Sequence, residues 1–466
     1  MRIRLFGQYL PASMVVLAVF ETLLFFGLLI GAGVVRLGAD LEQIRRLQGP
    51  LWPRAALFSF AMVASLLAFG LYSARQRARS AGIFIRVLSA VLAGIFVTTL
   101  CFYAIPNLWI GRGVLSLAAL AAAAAVIAIR LGFGRFIDDT PLKRRILVYG
   151  TGRSAGAIAG LRRRSDQRGF VLTGFVRPDG ESLEVPEDRV LAPEGDLLAL
   201  CKTLEVDEVV VAMDDRRRAF PIRGLLECRL AGIDVTELLT FLERETGRVR
   251  IDVLNPSWLI FGEGFRRGSM RLFTSGMIDV VASLLILAVS TPVILATAIA
   301  IKLEEGWRAP VFYTQKRVGL GGQVFRLIKF RSMRVDAEAS GDAQWARKND
   351  PRVTRVGAVI RKLRIDELPQ ILNVLRGEMC FVGPRPERPQ FVEDLAERIP
   401  YYMQRHCVKP GITGWAQLCY PYGSSEQDAL EKLQYDLYYI KNNSLLFDLT
   451  IVAQTAEVVF MGKGAR

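Results

Sequence analysis

The sequence predicts a membrane α plus α/β protein. A four-helix transmembrane bundle comes first, then a Rossmann-like parallel-sheet module, then a mixed, mainly helical domain. Three observations predict this. Four apolar runs close to the ~20 residues that span a bilayer fill residues 1–135. A strand, a glycine loop and a helix follow from Arg144, and strands then alternate with helices over 144–250. A fifth apolar run, 277–301, opens a last domain, 270–466, rich in arginine, glycine and paired acids.

The first four runs are 14–35, 55–73, 83–105 and 114–129. Arg2 and Arg4 precede them, Arg75, Arg77 and Arg79 follow the second, and Arg130, Arg135, Lys143, Arg144 and Arg145 follow the fourth. Basic residues concentrate on the cytoplasmic side, so these three regions are expected there. Arg36, Arg45, Arg46 and Arg54 in the first outer loop blur the pattern. Glu21 and Arg86 fall inside spans, which points to a function or to helix–helix pairing. The first run is too long for a cleavable signal peptide, and none is expected.

Composition agrees with a membrane location. The 466 residues are 52% apolar and carry a net charge of +15, with positive mean hydropathy. That charge suits anionic lipid and phosphorylated substrates. No nucleic-acid-binding motif accompanies it, and no nucleic-acid partner is expected. The six cysteines are scattered without a CxxC pair, which argues against a zinc site or a disulfide framework. His406 is the single histidine, so His-rich metal clusters are excluded.

In RRILVYGTGRSAGAIAGLRRR, a β-run (146–149) feeds Gly150-x-Gly152-x-x-Ala155 and a helix. Further β-like runs are 171–176, 208–212 and 232–235. Such a loop cradles phosphate on a helix N-terminus. A sugar dehydratase would add Tyr-xxx-Lys, whereas Tyr149 is followed four residues on by Arg153, and Asp179 is the one candidate for a ribose-binding acid. A non-catalytic, regulatory module and a nucleotide site both stay open.

The densest chemistry lies in RKLRIDELPQILNVLRGEMCFVGPRPE, from Arg361 to Glu387. Asp366 and Glu367 precede Pro369, and Ile371, Leu372 and Leu375 have helical spacing. Proline fits a first helical turn, so Asp366 is expected near a helix N-terminus, where the dipole favours its ionised form. Gly383–Pro386 then offers a guanidinium on a stiff backbone. An ionised carboxylate among arginines suits attack on a phosphate, or its metal-assisted handling. Upstream, two β-runs flank Gly319, Gly321 and Gly322 as a hairpin carrying Lys316, Arg317, Lys329 and Arg331, either a solvated surface or a diphosphate-facing cluster. The polar stretch 335–347 reads as a mobile loop. Downstream come a helix (390–399), the turns of RHCVKPGITGWAQ, and a final apolar helix (445–461) expected to pack at the membrane interface, since it holds Asp448 and Glu457.

The 361–387 segment, with KPGITGWAQ, resembles the signature of the bacterial sugar transferases, the monotopic phosphoglycosyl transferases. The resemblance spans most of the chain and implies a mechanism. Asp366 would attack the β-phosphate of a UDP-sugar, release UMP and form a phosphosugar-aspartate, which undecaprenyl phosphate then takes up. Glu367 would assist or hold Mg2+, the metal ligands being Asp366 and Glu367. Arg361, Arg385, Lys316 and Arg331 would bind phosphate. The family's re-entrant helix is usually broken at Ser-Pro; here the pair is Thr291-Pro292. Four spans return the chain to the cytoplasm, and a fifth crossing would carry the acids away from cytosolic nucleotide sugars, so 277–301 is expected to enter and leave one leaflet, the alternative being an ordinary span kinked at Pro292. The resemblance further implies the bacterial inner membrane, an active site on its cytoplasmic face, UDP-glucose or UDP-galactose as donor, a homodimer, and the start of exopolysaccharide or capsule synthesis. Two other classes are a membrane-bound NAD(P)-dependent nucleotide-sugar oxidoreductase using the Gly150 loop and a non-enzymatic polysaccharide-assembly scaffold.

Overall fold

A computed structural model describes every residue except 1, 6–7, 39–48, 73–79, 137–142, 162–165, 167–168, 192–195, 218–219, 255–267, 335–351, 421–422, 424 and 461–466. Arg45, Arg46, Arg75, Arg77, Arg79 and the expected loop 335–347 therefore lie outside the described residues. The chain forms two compact units, one of residues 1–3, 9–66 and 72–261, the other of 4–8, 67–71 and 262–466.

Two short strands, β1 (Arg2–Leu5) and β2 (Gln8–Pro11), precede four apolar helices: α1 (Ala12–Leu37), α2 (Trp52–Ala68), α3 (Ser80–Ala104) and α4 (Arg112–Phe136). Three of these, over Met14–Leu37, Phe84–Ala104 and Arg112–Arg130, are long and apolar enough to cross a membrane. The second is not: α2 has 17 residues, about 26 Å of helix against a hydrocarbon core of about 30 Å. The span expected over 55–73 begins at Trp52 and gives way to a turn after Ala68. Glu21 is fully buried and joins α1 to α4, where Arg130 Nη2 lies 3.1 Å from its Oε2. The Tyr72 hydroxyl donates to the same oxygen, and the Arg130 guanidinium sits 5.1 Å above the Tyr72 ring. Helix pairing thus accounts for Glu21; Arg86 is buried as well.

The following module is a parallel sheet with strand order β5-β4-β3-β6-β7: β3 (Arg144–Tyr149), β4 (Phe170–Val176), β5 (Val190–Leu191), β6 (Glu208–Val211) and β7 (Asp234–Glu237). Helices α5 (Arg153–Ala159), α6 (Leu197–Thr203), α7 (Ile222–Leu230) and α8 (Leu238–Thr246) alternate with the strands. The two-residue period of β3 builds a core on each face. Ile146 and Val148 pack with Phe175 and Phe241, and Leu147 packs with Val209, Cys201 and Cys228.

The long C-terminal segment of the second unit opens with α9 (Ser269–Glu305), 37 residues with Pro292 inside. Only 11% of its apolar window is buried. α9 runs as one α-helix across Thr291-Pro292. Pro292 has no N–H for the Ala288 carbonyl. The Thr291 and Ser290 hydroxyls instead reach the neighbouring Leu287 carbonyl, at 2.7 and 3.5 Å.

After α9 come the antiparallel hairpin β8 (Phe312–Val318) and β9 (Val324–Phe330), α10 (Arg355–Lys362), a 3-10 turn (Ile365–Gln370), α11 (Ile371–Leu375), β10 (Cys380–Val382), α12 (Pro389–Arg398), β11 (Gly411–Thr413), α13 (Trp415–Cys419), α14 (Glu426–Asn442) and α15 (Leu445–Phe460). The acids therefore open a 3-10 turn, and the α-helix after it is only five residues long. β10 and β11 run parallel. They bring the GPRP and PGITG motifs together through two backbone bonds of 2.9 Å, Gly383 N to Thr413 O and Gly411 N to Pro384 O. A Cβ on Gly411 would lie 2.1 Å from Gly383 N. Only glycine allows so close a backbone crossing.

Candidate functional site

The hairpin decides which basic residues can face the acids. Side chains alternate across a strand, and the register pairs Tyr313 with Lys329, Lys316 with Arg326, and Arg317 with Phe325. Arg317 and Lys329 therefore share one face, and Lys316 lies on the other. Asn373 fixes this hairpin from α11. Its Oδ1 accepts from Ile328 N at 3.0 Å, and its Nδ2 donates to Arg326 O at 2.8 Å and Glu378 Oε2 at 2.6 Å. The residue is fully buried.

The turn bearing the acids starts from Arg364, a non-glycine residue at φ +59°. The left-handed region costs an ordinary side chain roughly 1–2 kcal/mol. Here it brings the Arg364 guanidinium to 3.8 Å from Glu367. Lys329 Nζ is 3.4 Å and Arg385 Nη2 3.0 Å from the same Oε1 of Glu367. Arg385 is itself held from behind. Arg405 Nη2 donates to the Arg385 carbonyl at 3.0 Å and pairs with buried Asp436 at 2.9 Å, while Arg405 Nη1 donates to the Tyr402 hydroxyl at 2.8 Å.

The two acids thus differ. Burial alone would push Glu367 up, but Arg385, Lys329 and Arg364 outweigh it and hold the carboxyl far below its usual range. Asp366 moves the other way: burial raises it, the Glu367 charge raises it further, and Lys329, Arg364 and Arg361 only partly offset this. Among the described residues, no hydrogen bond or ion pair engages the Asp366 carboxylate. A raised carboxylate is a more basic oxygen, and an unengaged one is free to react. The surrounding cations crowd one another. Burial lowers Lys329, Glu367 opposes, and Arg385 and Arg317 deepen the depression. Burial, with Arg385 and Arg388, brings Arg317 down to about 10. Such an excess of buried positive charge is a place for an anion.

The predicted residues fall into three groups. Asp366, Glu367 and Arg385 come together, with Arg361 adding to the positive field at Asp366. Lys316 is exposed, and Arg331 is half-buried with its Nε unpartnered among the described residues; neither pairs there with either acid. Thr291 and Pro292 lie exposed on α9. Arg364 and Asn373 are additions from the structure, and Lys329 and Arg317, in the sequence only members of the hairpin's basic cluster, join the acids' side of it. Strand alternation, read from the Gly319–Gly322 turn, is the sequence signal for Lys329 and Arg317; nothing local marks Asn373. Among the described residues, no cluster of three or more His, Cys, Asp or Glu could cage a metal. Adjacent Asp366 and Glu367 fit an ion such as Mg2+, which takes one or two carboxylates and finds its other ligands on phosphate and water.

The Gly150 loop has a different character. Arg153 N and Ser154 N both donate to Asp214, at 2.8 Å, and Thr151 N donates to Glu181 at 2.7 Å. A Cβ on Gly152 would lie 2.1 Å from the Asp214 carboxylate. The amides that would cradle a phosphate already bond to the protein's own acids.

Comparison with known proteins bears on the second unit most directly. The family model for bacterial sugar transferases matches residues 270–462. The UDP-N-acetylgalactosamine-undecaprenyl-phosphate N-acetylgalactosaminephosphotransferase of Aeromonas hydrophila is 46% identical over 244 residues, covering 52% of this chain and 56% of that protein. The UDP-glucose:undecaprenyl-phosphate glucose-1-phosphate transferase of Xanthomonas campestris pv. campestris is 29% identical over 493 residues, covering 99% of this chain and 96% of that protein. An exopolysaccharide production protein of Rhizobium leguminosarum bv. phaseoli is 40% identical over 205 residues, covering 42% of this chain and all of that protein.

Proposed function

Because this chain belongs to the bacterial sugar transferase family, we propose that it transfers a hexose-1-phosphate from a UDP-sugar to undecaprenyl phosphate and releases UMP. The observation that carries this reading is the asymmetry of the two acids: three cations engage Glu367 and leave Asp366 unengaged. In the first step an Asp366 oxygen bonds to the β-phosphorus, the bond from that phosphorus to the bridging oxygen breaks, and UMP departs with the electron pair. In the second, a phosphate oxygen of undecaprenyl phosphate attacks the same phosphorus, and the acyl-phosphate bond breaks to restore the carboxylate. Splitting one difficult transfer in two is covalent catalysis by a carboxylate. Arg361, Arg385, Lys329 and Arg317 hold the diphosphate oxygens through charge-assisted bonds, while Lys316 and Arg331 form a basic rim. Asp366 and Glu367 would hold Mg2+, which supplies charge neutralisation at the diphosphate.

The contacts of α9 support a helix that does not cross. Arg271 Nη2 lies 3.4 Å from Asp448 Oδ2, Asp279 accepts from Phe381 N at 3.3 Å, and Glu304 accepts from Arg355 N and Val356 N at 2.7 and 2.9 Å. All these partners belong to the fold around Glu367. A straight helix rises ~38 Å between Asp279 and Glu304, more than the ~30 Å hydrocarbon core. A spanning helix would set those partners on opposite sides of the bilayer, which one folded domain cannot reach. A re-entrant helix keeps them on one side, the cytoplasmic face of the bacterial inner membrane, where UDP-sugars are made. The names of the relatives point to glucose and N-acetylgalactosamine as cargo, and one points to exopolysaccharide production.

The test is UMP release by the full chain in nanodiscs, given Mg2+, undecaprenyl phosphate and UDP-glucose, UDP-galactose or UDP-N-acetylgalactosamine in turn. Without acceptor, Asp366 should gain the mass of a hexose phosphate, and Asp366→Asn should form neither adduct nor lipid product. Lipid-linked product formed at the normal rate by Asp366→Asn would overturn the assignment. The oxidoreductase reading is disfavoured by the occupied amides of the Gly150 loop, and a pure scaffold would release no UMP with any donor.

A further inference from the structure

The side chains that turn from α9 toward the catalytic fold are placed with a pattern. Asp279 Oδ1 accepts from the amide of Phe381 in β10, two residues before Gly383 and four before Arg385. Glu304, at the far end of α9, receives both leading amides of α10, Arg355 N on Oε1 and Val356 N on Oε2. Arg361 lies in the last turn of α10, five residues before Asp366. Glu304 thus acts as a carboxylate cap in trans, beside the Thr354 hydroxyl that accepts from Gly357 N at 2.9 Å. Apolar packing reinforces this end. Ile301 is buried with Phe330 and Ile360, and Ile365 and Leu368, which flank the acids, pack against that cluster.

Resting on the function proposed above, we propose that Asp279 and Glu304 are separate positioning residues. Asp279 sets Arg385 through β10, Glu304 sets Arg361 through α10, and the seating of one membrane helix therefore registers both phosphate-binding arginines against Asp366. The physical reason is that the part-buried Phe381 amide, and the two leading amides of α10 that have no partner within their helix, each gain a charged acceptor. Each acid therefore holds its partner's backbone in one position, and each backbone carries one arginine. Neither acid touches the substrate; both act through another residue.

The test uses full-length chain in nanodiscs and two readouts. The first is amide hydrogen exchange, which needs no activity. Asp279→Ala should speed exchange over 380–386 and leave 353–363 unchanged, Glu304→Ala should do the reverse, and Asp279→Asn and Glu304→Gln, which keep an acceptor oxygen, should restore the unmutated pattern. The second is a pair of double-mutant cycles on kcat/KM for the UDP-sugar. Asp279→Ala should cost about tenfold alone and almost nothing further in an Arg385→Lys background, while its effect should multiply with that of Arg361→Lys. Glu304→Ala should show the opposite pairing. Equal acceleration of both segments, or cycles that multiply in every background, would overturn the inference. Unmutated protein that exchanges as expected but releases no UMP with any donor would overturn the function and leave the positioning roles standing.

Discussion

Asp366→Asn and Glu367→Gln should change stability in opposite directions, although the residues are neighbours and the substitutions chemically alike. Glu367 faces Arg385, Lys329 and Arg364 at 3.0, 3.4 and 3.8 Å, and its side chain is 13% exposed. Removing its charge leaves three crowded cations with one counter-charge fewer. Breaking a buried pair from one side costs about 3–5 kcal/mol, and the amide retains one acceptor, so about 3 kcal/mol is expected. Asp366 is destabilised as an ion in the fold, as its raised pKa records. Removing that charge should stabilise by on the order of 1 kcal/mol, as functional sites often allow. For a unit of this size 1 kcal/mol moves Tm by about 2–4 °C. Glu367→Gln should therefore melt about 6–12 °C lower and Asp366→Asn about 2–4 °C higher. The signs carry into pH. Glu367 has a depressed folded pKa, so its contribution is present above the unfolded value and is lost as acid carries the pH down through the folded one. Asp366 has a raised folded pKa, so its contribution is present in acid and is lost as pH rises through the folded value. Differential scanning fluorimetry of the solubilised variants from pH 4 to 8 measures all of this. Tm shifts of the same sign at pH 7 would refute the division of roles.

Three further outcomes follow from the site. Lys316→Ala should change kcat/KM for the UDP-sugar by less than about twofold, whereas Arg317→Ala, from the face shared with Lys329, should lower it at least about tenfold; steady-state UMP release decides. Asn373→Ala removes three hydrogen bonds within a buried setting and should cost about 2–4 kcal/mol in denaturant unfolding, whereas Asn373→Asp keeps the acceptor for Ile328 N but sets a carboxylate oxygen against Arg326 O and Glu378 Oε2 and should cost at least as much. Burial raises Asp436 to about 6 against the pull of Arg405, so its contribution to stability is complete below its unfolded value of about 3.9 and is lost as pH rises toward 6. Asp436→Asn should flatten the stability profile across that window.

What was legible in the sequence was what repeats along the chain or sits within one turn of it. Apolar length locates α1, α3 and α4; at α2 the described helix is shorter than the apolar run, because hydropathy does not register that the turn after Ala68 ends the helix. Strand–helix alternation found the parallel sheet. The acid pair was visible because Asp366, Glu367 and Pro369 are close neighbours. The hairpin was visible too, but Lys316 was singled out over Arg317, since the parity of a strand is fixed by pairing register and not by residue type. The engagement of Glu367 by Lys329 and Arg385 depends on how β9 and the GPRP turn meet, and no local spacing encodes that. The Gly150 loop shows the same limit from the other side. Its motif invites a phosphate, while the carboxylates that fill it, Asp214 and Glu181, come from distant parts of the sequence.

The acceptors that α9 offers to the catalytic fold bear on attempts to make a soluble enzyme. Removing the chain up to and including Glu305 would strip acceptors from the amides of Phe381, Arg355 and Val356 at once. The amides of Arg355 and Val356 are solvent-exposed and can turn to water, so the cost falls mainly on the part-buried amide of Phe381, about 1–3 kcal/mol of the 5–15 kcal/mol that usually holds a domain together. A water-soluble derivative would have to keep the inward-facing acids of that helix and exchange only its lipid-facing side chains for polar ones.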